Sequence, residues 1–343
     1  MNGQARGKLK VMLSAILSTV VAVLGTSLSH AVERAQPASA AQRAQIATPA
    51  ATTPTRDPDD IAMAFSVDDP CTSPCWKQGL VYQRTGSALN PDAGVQSYAL
   101  DLFRSARTPA KDAPVVVLLH GGGFVTGDRK QMRPLSEELA RAGFLVATID
   151  YRLVPDARNR GAGIASDADL IPASAEAEAD AEKAMLWIRA HRQTLGAAAD
   201  RQRYAVGGYS AGAISALRVA IRGGDRTTAA ALRWRVGAAF AISGTECGSW
   251  TKAYHCTAAY DRADAPIQMF HGEADSVVPF PWARSTCESA VLRGGGCQGF
   301  FYPRQDHFWL NGTIFGGGTG LTKAHPAVLP TVAKFLRREL AKR

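Results

Sequence analysis

Three polar residues far apart in the chain carry side chains that together can perform acyl transfer: Ser210, Asp275 and His307. A serine hydroxyl is a weak nucleophile, so a base must take its proton as it attacks. An imidazole suits that task because it titrates near neutrality. A buried carboxylate then fixes the imidazole tautomer and stabilises the imidazolium. Ser210 stands in Gly208-Tyr209-Ser210-Ala211-Gly212. Arg203 to Gly207 reads as a buried strand, and Ala211 to Ile221 as a helix rich in Ala and Leu. A serine at such a strand-to-helix turn has a strained backbone and projects its hydroxyl above a sheet. Gly208 and Gly212 lack a Cβ, which lets strand and helix approach closely around it. The N–H of Ala211, at the start of that helix, can face a developing oxyanion. The plain alternative is a glycine-rich turn with an ordinary serine, since the short pattern also arises by chance.

Other residues compete for the remaining roles. His307 has rivals in His120, His255, His271 and His325. His120 and His271 stand at strand ends, where a structural hydrogen bond is the expected role. His307 lies in the loop directly after the last expected strand and before the last expected helix. Asp275 competes with Glu273, Asp261 and Asp264. It sits in Gly272-x-x-Asp275-x-x-Val278-Pro279, directly after the penultimate strand. Asp306 reads as a neighbour that shapes the loop of the base.

The elements that must position these groups follow from apolar patterning. Strands are expected at Leu80 to Thr85 and at Gln96 to Phe103, the latter with Tyr98, Leu100 and Leu102 on one face. Pro114 to Leu119 and Phe144 to Ile149 are continuous apolar runs, the mark of strands covered on both faces. Further strands are expected at Val236 to Ile242, Ile267 to Phe270 and Gln298 to Tyr302. Helices are expected at Met132 to Ala142, Asp180 to His191, Pro281 to Leu292 and Pro326 to Leu340. The polar, Gly- and Ala-rich residues 154–179 read as a long loop over one edge of the site, and 243–265 as an irregular insertion. Strands alternating with helices imply an α/β fold with a doubly wound, mostly parallel sheet flanked by helices. In such sheets ligands sit beyond the carboxyl ends of the strands. His120-Gly121-Gly122-Gly123, Ser210, Asp275 and His307 all follow expected strands and so converge on one edge. The three glycines allow backbone N–H groups to point into that crevice.

From about Leu80 to Leu340 the chain resembles the α/β-hydrolase superfamily. It looks most like the hormone-sensitive-lipase-like carboxylesterases and the exported feruloyl and acetylxylan esterases. The resemblance rests on His120-Gly-Gly-Gly-Phe124, Asp150-Tyr-Arg-Leu153, Gly208-Tyr-Ser-Ala-Gly212, His271-Gly-Glu-Ala-Asp275 and Asp306-His307. The order Ser210, Asp275, His307 matches that superfamily's order of nucleophile, acid and base. The resemblance implies Gly122, Gly123 and Ala211 as the oxyanion-hole donors, and an acyl-enzyme mechanism with no metal or organic cofactor. Tyr209 replaces the acidic residue usual in the lipase-like branch, and Asp275 is followed by Ser-Val-Val-Pro rather than that branch's continuation. Phe124, Tyr209 and Trp309, with Phe308, flank the site as candidate substrate contacts; ordinary core packing is the alternative for these aromatics.

Composition bounds the rest. The 343 residues are 46% hydrophobic and 20% charged, an ordinary globular balance. Basic residues Arg6, Lys8 and Lys10 precede an apolar run from Leu9 to Leu28, and Ser29-His30-Ala31 offers small residues at a cleavage position. We read 1–31 as an export signal, with a membrane anchor as the alternative. Removing it takes the net charge from +9 to +6. The remaining Arg and Lys are scattered, so no nucleic-acid surface is expected. Residues 32–64, rich in Ala, Thr and Pro, read as a disordered linker, and 65–343 as the catalytic domain. The cysteines are Cys71, Cys75, Cys247, Cys256, Cys287 and Cys297. They form local couples, expected as disulfides Cys71–Cys75, Cys247–Cys256 and Cys287–Cys297 in an oxidising compartment. Their spacing does not suit zinc. The expectation is therefore a secreted or periplasmic serine carboxylesterase acting on a small-molecule or polysaccharide-linked ester, with no stable membrane span after cleavage. A prolyl-oligopeptidase-like serine peptidase and a non-catalytic binding protein on the same scaffold are the alternatives.

Overall fold

Val115–Leu119 is an unbroken run of valine and leucine, every residue fully buried. It is strand β3. A strand apolar on both faces needs cover on both, and β3 has it. The sheet around it is built from β1 (Cys75–Thr85), β2 (Gln96–Arg104), β4 (Leu145–Ile149), β5 (Tyr204–Tyr209), β6 (Ala238–Ile242), β7 (Ile267–Gly272) and β8 (Cys297–Tyr302). The computed structural model describes residues 75–155, 164–221, 235–246, 260–309 and 328–341. The strand order is β1-β2-β4-β3-β5-β6-β7-β8. β2 runs antiparallel to both β1 and β4, and every pair from β4 to β8 is parallel. The expected strands are thus present, within a few residues of their expected bounds.

Side chains alternate across the sheet with the two-residue period of a strand. Val115, Val117 and Leu119 face one core layer, and Val116 and Leu118 the other. The second layer is closed by α1 (Arg133–Arg141) and α5 (Val328–Leu340), whose Leu135, Leu139, Val332 and Leu336 are buried. α1 stops at Gly143, which takes φ 103, a conformation that favours glycine. The first layer is closed by α2 (Asp167–Ala190), α3 (Ala211–Ala220) and α4 (Phe280–Leu292).

α2 corrects an expectation. Residues 167–179 are helical rather than part of a loop, and 156–163 lie outside the described residues. Ala173, Ala177, Ala181 and Ala184 are all buried, at the spacing of one helical face. That face is made of alanine, so the segment reads as polar although it is amphipathic by size. It packs against α3, whose Ala213, Ala216 and Ala220 are equally small. Neither alanine face covers much area alone; together they let two helices lie close on the sheet.

Cys287 on α4 and Cys297 at the start of β8 are disulfide-bonded, with Cα atoms 5.3 Å apart. Gly294, at φ 83, lies in the turn between them. Cys75 is also disulfide-bonded. Cys71, Cys247 and Cys256, the expected signal 1–31 and the expected linker 32–64 lie outside the described residues. Among the described residues no helix is long and apolar enough to cross a membrane.

Candidate active site

The parallel register aligns the carboxyl ends of the strands: Leu119 pairs with Gly208, Gly208 with Ala241, and Gly272 with Tyr302. The residues that follow each strand therefore meet on one edge. Ser210 follows β5 and opens α3 at φ 52 and ψ −120, a strained conformation for a residue with a side chain. Gly212 makes the turn possible, since a Cβ there would come within 2.2 Å of the Leu119 carbonyl oxygen. The Ser210 N–H donates to the Ile242 carbonyl at 2.9 Å, which fastens the turn to β6.

The Ser210 Oγ lies 2.9 Å from His307 Nε2. His307 Nδ1 lies 3.0 and 2.9 Å from the two carboxylate oxygens of Asp275. The three sequence candidates thus form one hydrogen-bonded row, with His307 2% exposed and Ser210 and Asp275 both 8%. Burial would raise the Asp275 carboxyl, but hydrogen bonds from His271 and His307 and the Val278 N–H hold it well below the usual carboxylate range. An ionised carboxylate only accepts. His307 Nδ1 must therefore carry the proton, leaving Nε2 bare toward the Ser210 hydroxyl.

Asp275 is itself tightly held. Its Oδ1 accepts from the N–H groups of Val277 and Val278 at 2.9 and 2.7 Å. His271 Nε2 lies 3.2 Å from Oδ2 and 2.8 Å from the Val278 carbonyl. Facing two acceptors, that nitrogen bears a proton. Asp306 does not compete with Asp275 for His307 Nδ1. Its Oδ1 accepts from the N–H of His307 and from both the N–H and the hydroxyl of Ser276, which ties the two loops together.

The loop after β3 forms the opposite wall. Gly122 and Gly123 take φ 114 and 61, and the Gly122 carbonyl accepts from Val125 and Thr126, both at 3.0 Å. A Cβ on Gly122 would overlap the Thr126 carbonyl, so only glycine fits. His120 is buried under this loop, stacked on Tyr151 with ring centroids 4.2 Å apart. Burial lowers its pKa, and Nδ1 lies 2.7 Å from the Gly121 carbonyl. The Tyr151 hydroxyl donates to the His120 carbonyl at 2.8 Å. Arg129 clamps the base of the loop, pairing with Asp101 at 2.7 Å and Asp150 at 2.5 Å. The motif residues Asp150 and Tyr151 thus act beneath the loop rather than in the crevice.

Of the aromatic candidates, Phe124 and Tyr209 are buried, whereas Trp309 is half-buried and Phe308 exposed. Phe124 is fully buried at φ 63 and packs edge-on against Tyr151, so it offers no surface to a substrate. Tyr209 is 2% exposed, and its hydroxyl donates to the His307 carbonyl at 3.0 Å. Trp309 lies tilted against Tyr302 with ring centroids 4.4 Å apart and donates from Nε1 to Ser243 Oγ at 3.1 Å. Phe308 is 56% exposed, with its ring edge-on to His307 at 5.0 Å. Sequence reasoning missed Ser243, because a lone serine at a strand end carries no pattern. The four-residue spacing of His271 and Asp275 was the signal for the contact it read only as structural. His255 and His325 lie outside the described residues. Among the described residues no group of three or more His, Cys, Asp or Glu side chains is placed to hold a metal ion.

Residues 100–243 match the family model BD-FAE. Among solved structures, Thermogutta terrifontis esterase 2 phosphonylated by cyclosarin superposes with a TM-score of 0.58 at 23% identity, covering 76% of this chain and 93% of that one. Its propionate-bound form gives a TM-score of 0.56 at 22% identity, over 76% and 93% of the two chains. Among curated proteins, Esterase LipI of Mycobacterium tuberculosis is 36% identical over 115 residues, 33% of this chain and 31% of LipI. The non-reducing polyketide synthase stbA of Stachybotrys bisbyi is 28% identical over 196 residues, 56% of this chain but 7% of the synthase. The chain thus spans less than a third of the length of these curated relatives.

Proposed function

We propose that this chain, an α/β-hydrolase of the esterase type by its fold and relatives, hydrolyses carboxylic esters through an acyl-enzyme on Ser210. The observation that carries the reading is the buried row from Ser210 Oγ through His307 to Asp275. His307 Nε2 takes the hydroxyl proton as Oγ attacks the ester carbonyl. The ionised Asp275 favours the imidazolium that results. The oxyanion develops toward the N–H of Ala211, at the start of α3, and toward those of Gly122 and Gly123. Donors already in place stabilise that charge without reorganising. Collapse of the tetrahedral species breaks the C–O bond, and His307 returns the proton to the leaving alcohol. Water, deprotonated by the same nitrogen, then releases the acid and restores Ser210.

Export to the periplasm or beyond is part of the same proposal. The basic and apolar start of the chain and the Cys287–Cys297 disulfide support it. The substrate class is a small ester, free or attached to a polysaccharide.

The test is a panel of p-nitrophenyl esters beside an aminoacyl anilide, with Ser210→Ala as the control. The ester panel should turn over, and Ser210→Ala should lose on the order of 10⁴-fold or more, leaving what the oxyanion donors alone supply. Turnover of the anilide alone would make the protein a peptidase. An alanine variant keeping a tenth of the activity would remove Ser210 from the mechanism.

A further inference from the structure

We propose that Tyr209 and Ser243 are positioning residues whose hydroxyls grip the main-chain carbonyl of His307 and so hold its imidazole between Asp275 and Ser210. The inference rests on the esterase reading above and assigns a role to two side chains that reading does not use. The loop that carries His307 leaves the sheet at Tyr302 and has no regular ladder to fix it. On one side its position is set by Asp306, which receives the His307 N–H. On the other side the His307 carbonyl receives two donors: the Tyr209 hydroxyl at 3.0 Å and the Ser243 hydroxyl at 3.2 Å. A carbonyl oxygen has two acceptor sites, and both are filled.

The donors come from the two strands that set the nucleophile. Tyr209 ends β5 and immediately precedes Ser210. Ser243 follows β6, one residue beyond the carbonyl of Ile242 that accepts the Ser210 N–H. One strand end therefore fixes Ser210 through its backbone and His307 through its side chain. The Ser243 proton is also directed. Trp309 Nε1 donates to the Ser243 oxygen at 3.1 Å, so the Ser243 hydrogen is left for the His307 carbonyl. Tyr209 is 2% exposed and Ser243 is fully buried, which keeps solvent from substituting for either donor.

Ser243 also adopts φ 50. A residue with a Cβ is strained there, and glycine would not be. A serine at a site that favours glycine points to its hydroxyl, which glycine cannot supply. An ordinary buried hydroxyl that had merely found an acceptor would not need this backbone. The Ser243 N–H is held in turn by the Phe270 carbonyl at 2.9 Å, so the conformation is imposed from β7.

The experiment compares Tyr209→Phe, Ser243→Ala and the double variant with the wild-type full chain. Turnover is expressed per serine titrated with a fluorophosphonate, so misfolded protein is not counted. A proton spectrum in parallel follows the low-field signal of the His307 Nδ1–H bound to Asp275, which needs no substrate. Each single variant keeps one donor to the carbonyl and should lose roughly two- to tenfold in kcat, with Ser243→Ala at the upper end because it also removes the acceptor of Trp309 Nε1. The double variant strands a buried carbonyl and should lose more than the product of the two, on the order of 100-fold, with KM within about threefold of wild type. Its low-field signal should broaden or vanish while the unfolding midpoint of each single variant stays near wild type. Wild-type turnover per titrated serine in the double variant, or a sharp and unchanged low-field signal, overturns the clamp. A wild-type chain that shows the signal and its loss in the double variant, but cleaves no ester, supports the clamp and sinks the esterase reading instead.

Discussion

At the scale of single residues the site is decided by where protons are. Asp275 is kept ionised against its own burial by His307, His271 and two backbone N–H groups. That charge dictates the His307 tautomer, and the tautomer decides which nitrogen meets Ser210. Asp275→Asn is the sharp test. An amide can present its NH₂ to Nδ1 and so favour the wrong tautomer. The expected loss is on the order of 10³–10⁴-fold in kcat with KM little changed, read from steady-state kinetics on a p-nitrophenyl ester. Loss of tenfold or less would mean that His307 does not depend on Asp275 for its proton. Acid should also weaken the folded state through this residue. A carboxyl depressed by folding stabilises above its ordinary range, and that contribution is lost as pH falls below it.

At the scale of elements, the site depends on close packing that leaves no slack. α3 starts directly after Ser210, so any displacement of that helix moves the Ser210 hydroxyl. α2 sets its position through a face of alanines, of which Ala181 is fully buried. Ala181→Leu adds bulk where the helix and the sheet already touch. Overpacking of this kind costs about 1–3 kcal/mol, to be measured as a lower urea midpoint with an unchanged slope. The same variant should lower kcat by tilting α3. A leucine accepted with no loss of stability would show that α2 has room the structure does not show. The helix also explains one misreading. Hydropathy counts alanine as nearly neutral, so a face made of it is visible only as spacing, which its polar and charged neighbours obscure.

At the scale of the whole molecule, burial places ionisable groups at odds with solvent. Glu246, just past β6, has its carboxyl raised to about 7 by burial, with Arg218 partly opposing. In the unfolded chain a glutamate ionises near pH ~4.3. Between those values the folded state binds more protons than the unfolded one. Stability should therefore be full below the lower value, fall as pH rises through the window, and level off above it. Glu246→Gln keeps the shape and removes the titration. The drop in unfolding midpoint from pH 5 to pH 8 should be smaller in that variant than in wild type. An equal drop in both would assign it to other groups.

The sequence by itself determined what local pattern can encode. Continuous apolar runs such as Val115–Leu119 marked strands buried on both faces. Gly208-x-Ser210-x-Gly212 marked a turn that only those glycines permit. The alternation of strands and helices implied a mostly parallel sheet, and hence a single edge on which Ser210, Asp275 and His307 would gather. These signals survive in one dimension because each depends on neighbours within a few residues. Tertiary structure alone decided the rest. That Tyr209 holds the His307 carbonyl and that Ser243 has any part in the site depend on contacts between β5, β6 and the loop after β8, and that Phe124 is buried rather than open to substrate depends on its packing against Tyr151 after β4. Those contacts are set by register and packing across the sheet. A hydroxyl or an aromatic ring has the same place in the sequence whether it meets a substrate or a backbone carbonyl, and only the neighbours that the fold supplies distinguish the two.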